Sequence, residues 1–418
     1  MQRRDFLTMS AGLLAMPPIE QLYASVHQQM DKGTAETSFD VIVLGVGSMG
    51  SATCYNLAKR GVKVLGLEQF DIPHELGSHG GQSRIIRKAY FEHPDYVPLL
   101  QRAYQNWGEL EEMTGSQVYY RTGLLYFGKP DHLLLRGVHE SANKYHVRVD
   151  GLTNEAVRKQ YPTFHLPDDY EKLIEPDAGF LTPERSILLY VEQALKHGAL
   201  IHTKEHTLDW RKEGDGYVVR TDKRTYSCQK LVITAGAWAS KLTPSLASKL
   251  TVTRQVSAWV QPKNWDAFAL GKFPCWTVAD DIQPGIYYGF PVLPVGKFGG
   301  PVGLKLAHHS SGSVVDPDTI SRVPTAEDEV DFVRFLQKYL PDGYSAIHVI
   351  KTCMYTNTAD GDFVLDFLPD FDKDVVVATG FSGHGFKFAS VVGEIMADLA
   401  MTGKTGLPIG FLGIKRLL

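Results

Sequence analysis

Three glycines and an acid near the start of the chain have the spacing of a dinucleotide-binding turn. Gly45, Gly47 and Gly50 form G-x-G-x-x-G directly after an apolar run, and Glu68 follows 18 residues later. The glycines allow a close approach to a pyrophosphate, and the next helix offers unpaired N–H groups at its N-terminus. Glu68 can accept hydrogen bonds from a ribose diol, while its charge disfavours a 2′-phosphate. The motif predicts FAD or NAD rather than NADP and leaves the choice between these two open.

A lone cysteine raises a second chemical question. Cys353 lies in "IKTCMYTNTADGDFVLD" with no second thiol nearby. The other cysteines are Cys54, Cys228 and Cys275, and none of the four has C-x-x-C or Cys/His ligand spacing. We therefore expect neither a disulfide framework nor a metal site. A buried small hydrophobe is the ordinary fate of such a residue, so the pattern alone assigns Cys353 no role.

Two further glycine-rich stretches favour FAD over NAD. "GSHGGQSRIIR", from Gly77 to Arg87, is too polar for a core and could wrap a second part of the nucleotide with Ser78, Ser83 and backbone amides. "TGFSGHGFKF", from Thr379 to Phe388, forms another glycine turn before a helix and could offer N–H groups to a flavin carbonyl. A nicotinamide enzyme has little use for two extra loops around its nucleotide.

The first residues have the layout of a twin-arginine export signal. Arg3 and Arg4 precede a short, weakly apolar segment, Phe6 to Met16, which ends at two prolines. No A-x-A site follows, so we expect cleavage somewhere between Ala24 and Ser38. This pattern predicts a periplasmic or exported protein. An accidental basic start to a cytoplasmic chain is the alternative.

The elements that must position these residues alternate between strand and helix. Strand, glycine turn, helix and strand cover Phe39 to Glu68, and the same order returns near the C-terminus from Asp374 onwards. Short strands separated by Pro and Gly, of antiparallel character, fill Thr251 to Lys305. We predict an α/β fold: a Rossmann-like FAD-binding domain assembled from discontinuous segments, with an inserted α+β substrate domain that carries a largely antiparallel sheet.

This organisation predicts domain boundaries. Residues 1–37 would be the signal and a linker; residues 38–119, 174–242 and 355–418 the FAD-binding domain; and residues 120–173 and 243–354 the substrate domain. The chain has 418 residues, 44% of them hydrophobic, and a net charge of −4. The slightly acidic balance gives no reason to expect a nucleic-acid partner. No apolar run reaches the roughly 20 residues that a membrane span needs.

Six separated motifs resemble those of one enzyme family. They are "GVGSMGSA", "GSHGGQSRIIRKAY", "YYGFP", "GLKLAHH", "CMYT" and "GFSGHGFKFA". Together they resemble the monomeric sarcosine oxidase and N-methyl-tryptophan oxidase family, flavin amine oxidases within the wider glycine/D-amino-acid oxidase superfamily. The resemblance runs from about Phe39 to Gly413. It implies a monomer that takes a small amino acid and oxygen as its partners.

The resemblance also implies roles for residues. Cys353 would carry FAD through a thioether to the flavin 8α position, and Arg87 with Lys387 would clamp the substrate carboxylate. Lys305 would face the flavin and assist oxygen reduction, while Tyr288, Tyr355 and His309 would orient the substrate. The cofactor contacts would be Gly45, Gly47, Ser48, Met49, Gly50, Glu68, Gln69, Ser78, Ser83, Arg84, Cys353, Gly383, His384, Gly385, Phe386 and Lys387.

The expected activity follows from the same resemblance. An N-methyl amino acid would be oxidised to an imine, which hydrolyses to formaldehyde and the primary amino acid, while oxygen becomes hydrogen peroxide. A dehydrogenase with another electron acceptor is the alternative, and Lys305 argues against it. A flavin-binding protein without chemistry is a further alternative that the four functional positions disfavour. Ser83 stands where threonine is usual and Thr277 near a usual methionine, so the substrate's size stays open.

Overall fold

The computed structural model of the chain describes residues 17–30, 36–280 and 283–418. Within these ranges the α-helices, α1 to α10 in chain order, are Ile19–Met30, Ser48–Ala58, Val97–Thr114, Leu133–Tyr145, Asn154–Gln160, Pro183–Lys196, Ala239–Leu242, Val295–Phe298, Ala326–Tyr339 and Ala389–Thr402. Short 3₁₀ segments cover Pro94–Tyr96, Gly236–Trp238, Pro244–Lys249, Pro341–Gly343, Phe386–Phe388, Gly410–Leu412 and Ile414–Arg416.

The strands described within the same ranges form three sheets. In chain order, β1 to β20 are Ser38–Leu44, Val64–Leu67, Arg84–Ile86, Tyr119–Arg121, Leu124–Gly128, Asp150–Gly151, Glu171–Glu175, Gly179–Leu181, Leu200–His202, Thr207–Glu213, Gly216–Thr221, Thr225–Ile233, Thr251–Gln261, Cys275–Ala279, Ile286–Gly289, Leu304–His309, Ser313–Val314, Ala346–Asn357, Val364–Phe367 and Val375–Thr379.

The first sheet has a parallel centre. Its order is β10-β11-β12-β1-β2-β9, and β20 joins β12 and carries β19 at the edge. In register, Ile42 of β1 lies beside Leu231 of β12 on one side and Leu65 of β2 on the other. These central strands are buried on both faces, which explains their unbroken apolar runs. Helix α2 packs against both α6 and α10 beside this sheet.

The second sheet is mostly antiparallel. Its order is β17-β13-β16-β15-β14-β5-β7-β6, with β18 also paired to β13. Only β5 and β14 run parallel. On the outer face α9 supplies Phe335, whose ring stacks on Tyr287 and Trp276 with centroids 4.1 and 5.5 Å apart. Because side chains alternate along a strand, the next residue of β15, Tyr288, faces the opposite side of the sheet. A small third sheet, β3-β8-β4, completes the fold.

Helix α1 occupies part of the stretch that the sequence assigned to signal and linker. Leu22, Val26 and Met30 are spaced by four residues, so they share one helix face, and all three are buried in the core beside α6 and β9. The His27 ring contacts the Ile72 carbonyl oxygen at 2.9 Å. Residues 19–30 are therefore a docked helix rather than a linker. The twin-arginine motif, within residues 1–16, lies outside the described residues.

The predicted domain boundaries stay a prediction. Strands from 38–119, 174–242 and 355–418 build most of the first sheet, as the prediction requires. Two boundaries cut strands of the second sheet, however, at 173/174 within β7 and at 354/355 within β18. Both would have to move to the ends of those strands.

Among the helices of the described residues, none is both long and apolar enough to cross a membrane.

Candidate active site

A cavity of about 420 Å³ collects residues from both large sheets. It lies at the carboxyl ends of β1, β2, β12 and β20, where ligands bind in open parallel sheets. Every residue predicted for the site lines this cavity except Gly50, Ser83 and Lys305. The structure thus brings together motifs that lie more than 300 residues apart in the chain.

The glycine turn after β1 needs glycine for steric reasons. Gly45 has φ +93°, and a Cβ atom there would lie 2.8 Å from the Thr234 carbonyl oxygen. A Cβ atom on Gly50 would lie 1.9 Å from the Gly45 carbonyl oxygen, so Gly50 closes the turn without lining the cavity. Helix α2 begins at Ser48, and Ser48 and Met49 in its first turn line the cavity. This arrangement suits a pyrophosphate.

Glu68 sits at the end of β2, beside that turn. Its carboxylate accepts hydrogen bonds from the backbone N–H groups of Val46 at 2.9 Å and Phe70 at 3.0 Å. Burial raises the pKa of Glu68 to about 7. The side-chain oxygen of the neighbouring Gln69 lies 3.0 Å from Nδ1 of the His206 ring, and Gln69 also lines the cavity. This is the position from which an acid reaches a ribose diol.

Three buried polar atoms test whether the cavity fits a flavin nucleotide. His79 Nε2, Thr356 Oγ1 and Thr379 Oγ1 have no hydrogen-bond partner, and all three residues line the cavity. Buried polar groups are nearly always satisfied, so these atoms indicate a polar ligand. Together with the glycine turn and Glu68, the residues present fit FAD.

The loop from Gly77 to Arg87 is held by its own arginine. Arg84 donates to the carbonyl oxygens of Ser83 at 2.9 Å, Ser78 at 3.0 Å and Gly80 at 2.6 Å. Ser78 lines the cavity, as does Arg84 itself. Ser83 does not, because it is fully buried behind the wall. The prediction that Ser83 contacts the cofactor therefore finds no support in this geometry.

Lys305 lies behind the same loop rather than at the cavity surface. Its ammonium donates to the carbonyl oxygens of Gly81 and, at 2.8 Å, Ser83. It also lies 5.3 Å from the Trp259 ring centroid and 4.8 Å from that of Phe290. Burial lowers the pKa of Lys305 well below its usual range. The role of Lys305 in oxygen reduction stays a prediction. From this position its ammonium would act on the cavity across the Gly77–Arg87 loop.

Cys353 reaches the cavity from β18, where it lies opposite Gln255 of β13. Burial raises the pKa of the Cys353 thiol, and the positive charges of Arg84, Lys305, Arg322 and Arg254 oppose that rise. A half-buried thiol with cations nearby is one whose thiolate is stabilised relative to an apolar site. None of the four cysteines forms a disulfide.

Arg87 is already engaged by an acid that the sequence analysis did not identify. Its Nη2 lies 2.7 Å from both carboxylate oxygens of Glu92, and its Nη1 donates to the Ala89 carbonyl oxygen at 3.2 Å. Burial raises the pKa of Glu92, but the charge and hydrogen bonds of Arg87, with smaller contributions from His384 and Lys387, together outweigh it and the pKa falls to about 2. A bound carboxylate would share Arg87 with Glu92 or displace it.

Lys387 stands beside this pair. Its ammonium donates to the His384 carbonyl oxygen at 2.6 Å and lies 5.2 Å from the Tyr90 ring, over which Arg87 also lies at 4.3 Å. Burial, with Arg87 as a second cause, lowers the pKa of Lys387 to about 7. The two predicted clamp residues therefore share one aromatic support.

The turn after β20 presents its residues to the same space. Gly383, His384, Gly385 and Phe386 all line the cavity. A Cβ atom on Gly383 would come within 2.3 Å of the Tyr355 ring, so only glycine lets the turn pack against it. The His384 ring is held by the Tyr90 hydroxyl at 2.5 Å and the Gly361 carbonyl oxygen at 3.1 Å, and burial lowers its pKa to about 3.

The predicted orienting residues form the opposite wall. His309 Nδ1 lies 3.4 Å from the Tyr355 hydroxyl, and Tyr288 lines the cavity beside them. Burial lowers the pKa of His309, so the neutral ring is the prevailing form at neutral pH. Thr277 also lines the cavity, with its hydroxyl donating to the Leu125 carbonyl oxygen at 3.0 Å.

Sequence reasoning missed several residues of this site. Glu92 lies five residues after Arg87, two residues beyond the end of the "GSHGGQSRIIRKAY" motif, and an acid so close to a predicted carboxylate clamp was the available signal. His79 stood within the quoted loop. Thr356 and Thr379 had no signal, because single threonines are common in strands.

Comparison with known proteins places the chain in a family. A model of the family described as DAO, FAD dependent oxidoreductase, matches residues 40–399, and the chain belongs to this family. The resemblance seen in the motifs is thereby confirmed. The chain is 40% identical over 385 residues to monomeric sarcosine oxidase of Bacillus sp. (strain NS-129), covering 91% of this chain and 97% of that protein. It is 34% identical over 383 residues to N-methyl-L-tryptophan oxidase of Yersinia pestis (strain Pestoides F), covering 90% and 99%.

Solved structures agree on the fold. The open form of NikD, an amino acid oxidase essential for nikkomycin biosynthesis, superposes with a TM-score of 0.79 at 25% identity, covering 90% of this chain and 97% of that chain. L-proline dehydrogenase from P. horikoshii superposes with a TM-score of 0.76 at 21% identity, covering 90% and 97%. The predicted α/β fold with parallel and antiparallel sheets is confirmed.

Proposed function

We propose that the protein is an FAD-dependent oxidase of N-methyl amino acids such as sarcosine or N-methyl-tryptophan. The products would be the primary amino acid, formaldehyde and hydrogen peroxide. The observation that carries this proposal is one cavity lined both by the dinucleotide turn with Glu68 and by the cation pair Arg87 and Lys387. The curated relatives, similar over nine-tenths of the chain, act on this class of substrate according to their names.

The protein's own residues would bind and orient the substrate. The carboxylate would lie against Lys387 and Arg87, which both lie beside the Tyr90 ring. Two cations near the substrate would also favour its unprotonated amine. Tyr288, Tyr355 and neutral His309 would hold the amine and its methyl group by hydrogen bonds and shape. FAD, when bound, accepts a hydride equivalent from the carbon next to nitrogen and passes electrons to oxygen.

Oxygen as the acceptor separates this proposal from a dehydrogenase of the same fold. The purified protein should be supplied under air with sarcosine, N-methyl-tryptophan and glycine, the last as a primary-amine control. We expect hydrogen peroxide and formaldehyde in equal amounts from at least one N-methyl substrate and neither from glycine. Anaerobic bleaching of the flavin by an N-methyl amino acid, without peroxide when air is admitted, would instead assign a dehydrogenase.

We further propose that FAD is attached covalently to Cys353. The support is a cysteine that lines the cavity, has no sulfur partner and is surrounded by cations. Precipitation with acid should leave a yellow pellet, and the peptide that contains Cys353 should carry the mass of FAD. Cys353→Ser should give a colourless pellet, with Cys275→Ser, a buried cysteine on another strand, as the matched control. An unmodified Cys353 peptide from active holoenzyme would contradict the proposal.

We also propose a monomeric, exported enzyme whose leader is cut on the N-terminal side of Ile19. The support for export is the Arg3 and Arg4 pair before an apolar segment. The support for the position of the cut is α1, which buries Leu22, Val26 and Met30, so a cut between Ala24 and Ser38 would remove packed core residues. The expected result is a periplasmic protein whose intact mass retains residues 19–30. A mass that begins after Ala24 would contradict this. Light scattering during size exclusion would report the oligomeric state.

A further inference from the structure

Arg322 links the two segments that meet at the cysteine end of the cavity. Its Nη2 donates to the Leu76 carbonyl oxygen at 2.7 Å, and its own carbonyl oxygen accepts from Thr352 Oγ1 at 3.3 Å. Leu76 immediately precedes Gly77 and Ser78, which line the cavity, and Thr352 immediately precedes Cys353. The guanidinium therefore contacts the segment that leads into the Gly77–Arg87 loop, while the backbone of Arg322 contacts the strand that carries the thiol.

The charge of Arg322 is not used by anything else that the structure describes. Among the described residues, its buried Nη1 has no hydrogen-bond partner. No carboxylate forms an ion pair with Arg322 within residues 17–30, 36–280 and 283–418. A buried donor without a partner destabilises the fold, and more so when it is charged. Such a group indicates a negatively charged partner that forms during a reaction at this site.

A neighbouring arginine shows what a structural role looks like here. Arg254, on the strand paired with β18, donates to both carboxylate oxygens of Asp328, at 2.8 and 2.7 Å. It also donates to the carbonyl oxygens of Ser321 and Val323, on either side of Arg322. Arg254 is thus neutralised and holds the segment in place, which leaves Arg322 as the unpaired cation of that segment.

We propose that Arg322 assists covalent attachment of FAD by stabilising the thiolate of Cys353 during thioether formation. This inference rests on the attachment proposed above and deepens it. The thiol loses its proton, its sulfur forms a bond to the 8α carbon, and that carbon loses a proton. The two electrons released pass through the flavin to oxygen, which becomes hydrogen peroxide. In sum, one thiol, one FAD and one oxygen give one thioether and one hydrogen peroxide, with oxygen already the acceptor of the proposed activity.

The test compares Arg322→Met, Arg322→Gln and Arg322→Lys with Lys351→Met as the matched control, since Lys351 lies on the same strand as Cys353 and is paired with Glu75. Each variant is purified as the holoenzyme, and two quantities are measured: total FAD per chain, and the fraction that stays with acid-precipitated protein. For Arg322→Met and Arg322→Gln we expect total FAD near the wild-type value and a covalent fraction at least fivefold lower. Arg322→Lys, which keeps the charge, and Lys351→Met should retain most of the covalent fraction.

The pH dependence provides a readout that a purely structural role would not change. The unlinked fraction of Arg322→Met is incubated with FAD under air at increasing pH. Linkage should proceed slowly near neutral pH and faster at higher pH, because a thiol without its cation ionises at higher pH. Arg322→Lys should link at lower pH than Arg322→Met.

Three results would overturn the inference. A wild-type covalent fraction in Arg322→Met would show that the charge is not needed. Loss of total FAD from a variant that still melts like the wild type would assign Arg322 to non-covalent cofactor binding. Equal losses in Arg322→Met and Lys351→Met would show that overall charge, not the placement of Arg322, matters. If wild-type FAD itself is released by acid, the proposed attachment fails first, which distinguishes the two failures.

Discussion

The positively charged residues at the two ends of the cavity have different partners. At the substrate end, Arg87 meets both carboxylate oxygens of Glu92, and Lys387 lies beside them. At the cysteine end, Arg84, Lys305 and Arg322 donate to carbonyl oxygens, and none of the three forms an ion pair with a carboxylate in the part of the chain that the structure describes.

This difference separates two uses of a cation. A carbonyl oxygen satisfies an N–H group without cancelling its charge, whereas a carboxylate does both. The cysteine end therefore keeps net positive charge for groups that become negative during the reaction, such as a thiolate or reduced oxygen. The substrate end is balanced until a second carboxylate arrives. We expect substitutions at the first end to affect reaction rates and those at the second to affect binding.

Lys305→Met should give the largest effect, and this effect should be on the rate at which the reduced enzyme reacts with oxygen. Removing a preorganised hydrogen-bond donor from a developing anion slows a step by about 10²–10³-fold. Stopped-flow absorbance should show slow reaction of the reduced enzyme with oxygen, while anaerobic reduction by substrate changes little. Lys241→Met is the control, since Lys241 also lines the cavity but is paired with Asp316 and Asp318. Slow reduction with normal oxygen reaction would assign Lys305 to the substrate end.

Arg87→Ala should raise KM more than it lowers kcat. Hydrogen bonds to a charged group contribute about 1.5–3 kcal/mol, which corresponds to about 10–100-fold in affinity. The substitution also leaves Glu92 buried without its partner, so the melting temperature should fall. The double variant Arg87→Ala with Glu92→Gln should recover much of that stability without recovering affinity. A collapse of kcat at unchanged KM would contradict the assignment to binding.

The affinity for carboxylates should depend on pH through Lys387. Because burial lowers its pKa to about 7, Lys387 is charged below that pH and neutral above it. Methoxyacetate, which resembles sarcosine but has no amine to titrate, should bind about tenfold or more weakly above pH 7 than below it, since a charge-assisted contact is lost. Titration of the flavin absorbance measures Kd. Lys387→Met should give a flat profile, and a flat wild-type profile would contradict the pKa.

The sign for stability is opposite. The folded-state pKa of about 7 lies below the ordinary lysine value of 10.5, so the folded protein binds fewer protons between these pH values. The contribution of Lys387 to stability therefore rises with pH across that window and is lost as the pH falls through 7. The same lysine thus binds its ligand best where it destabilises the fold most.

Local signals in the sequence predicted the elements that hold the nucleotide. Local sequence determines the turn at Gly45, the strand before it and the place of Glu68 after the next strand. Short segments are therefore enough to predict this geometry. Helix α1 was missed although Leu22, Val26 and Met30 have helical spacing, because the export motif before it suggested a disposable segment.

Contacts between distant segments could not be predicted in the same way. Arg322 meets Leu76 across 246 residues, and no pattern in either segment indicates the other. Lys305 was predicted at the flavin from a family motif, yet its ammonium points to the carbonyls of Gly81 and Ser83, which only the folded loop brings there. Where a cation lies relative to a cavity wall depends on tertiary packing rather than on residue type.

Glu92→Gln should give the smallest effect and would sharpen the comparison most directly. It removes the carboxylate that balances Arg87, so the substrate end should come to resemble the cysteine end. At low pH, where Lys387 is charged, methoxyacetate should bind more tightly, by about two- to fivefold, since a partly screened charge pair contributes about 0.2–1 kcal/mol. Glu92 also raises the pKa of Lys387, so its loss should move the change in affinity to lower pH.

The control for this variant is Glu75→Gln, which removes an exposed acid just before the Gly77–Arg87 loop. Glu75 is paired with Lys351. It should leave both Kd and its pH dependence unchanged. Weaker binding in Glu92→Gln would mean that Glu92 positions Arg87 rather than competing for it. The balanced charge at the substrate end would then be a scaffold for the guanidinium, and the distinction between the two ends would rest on geometry instead of on charge.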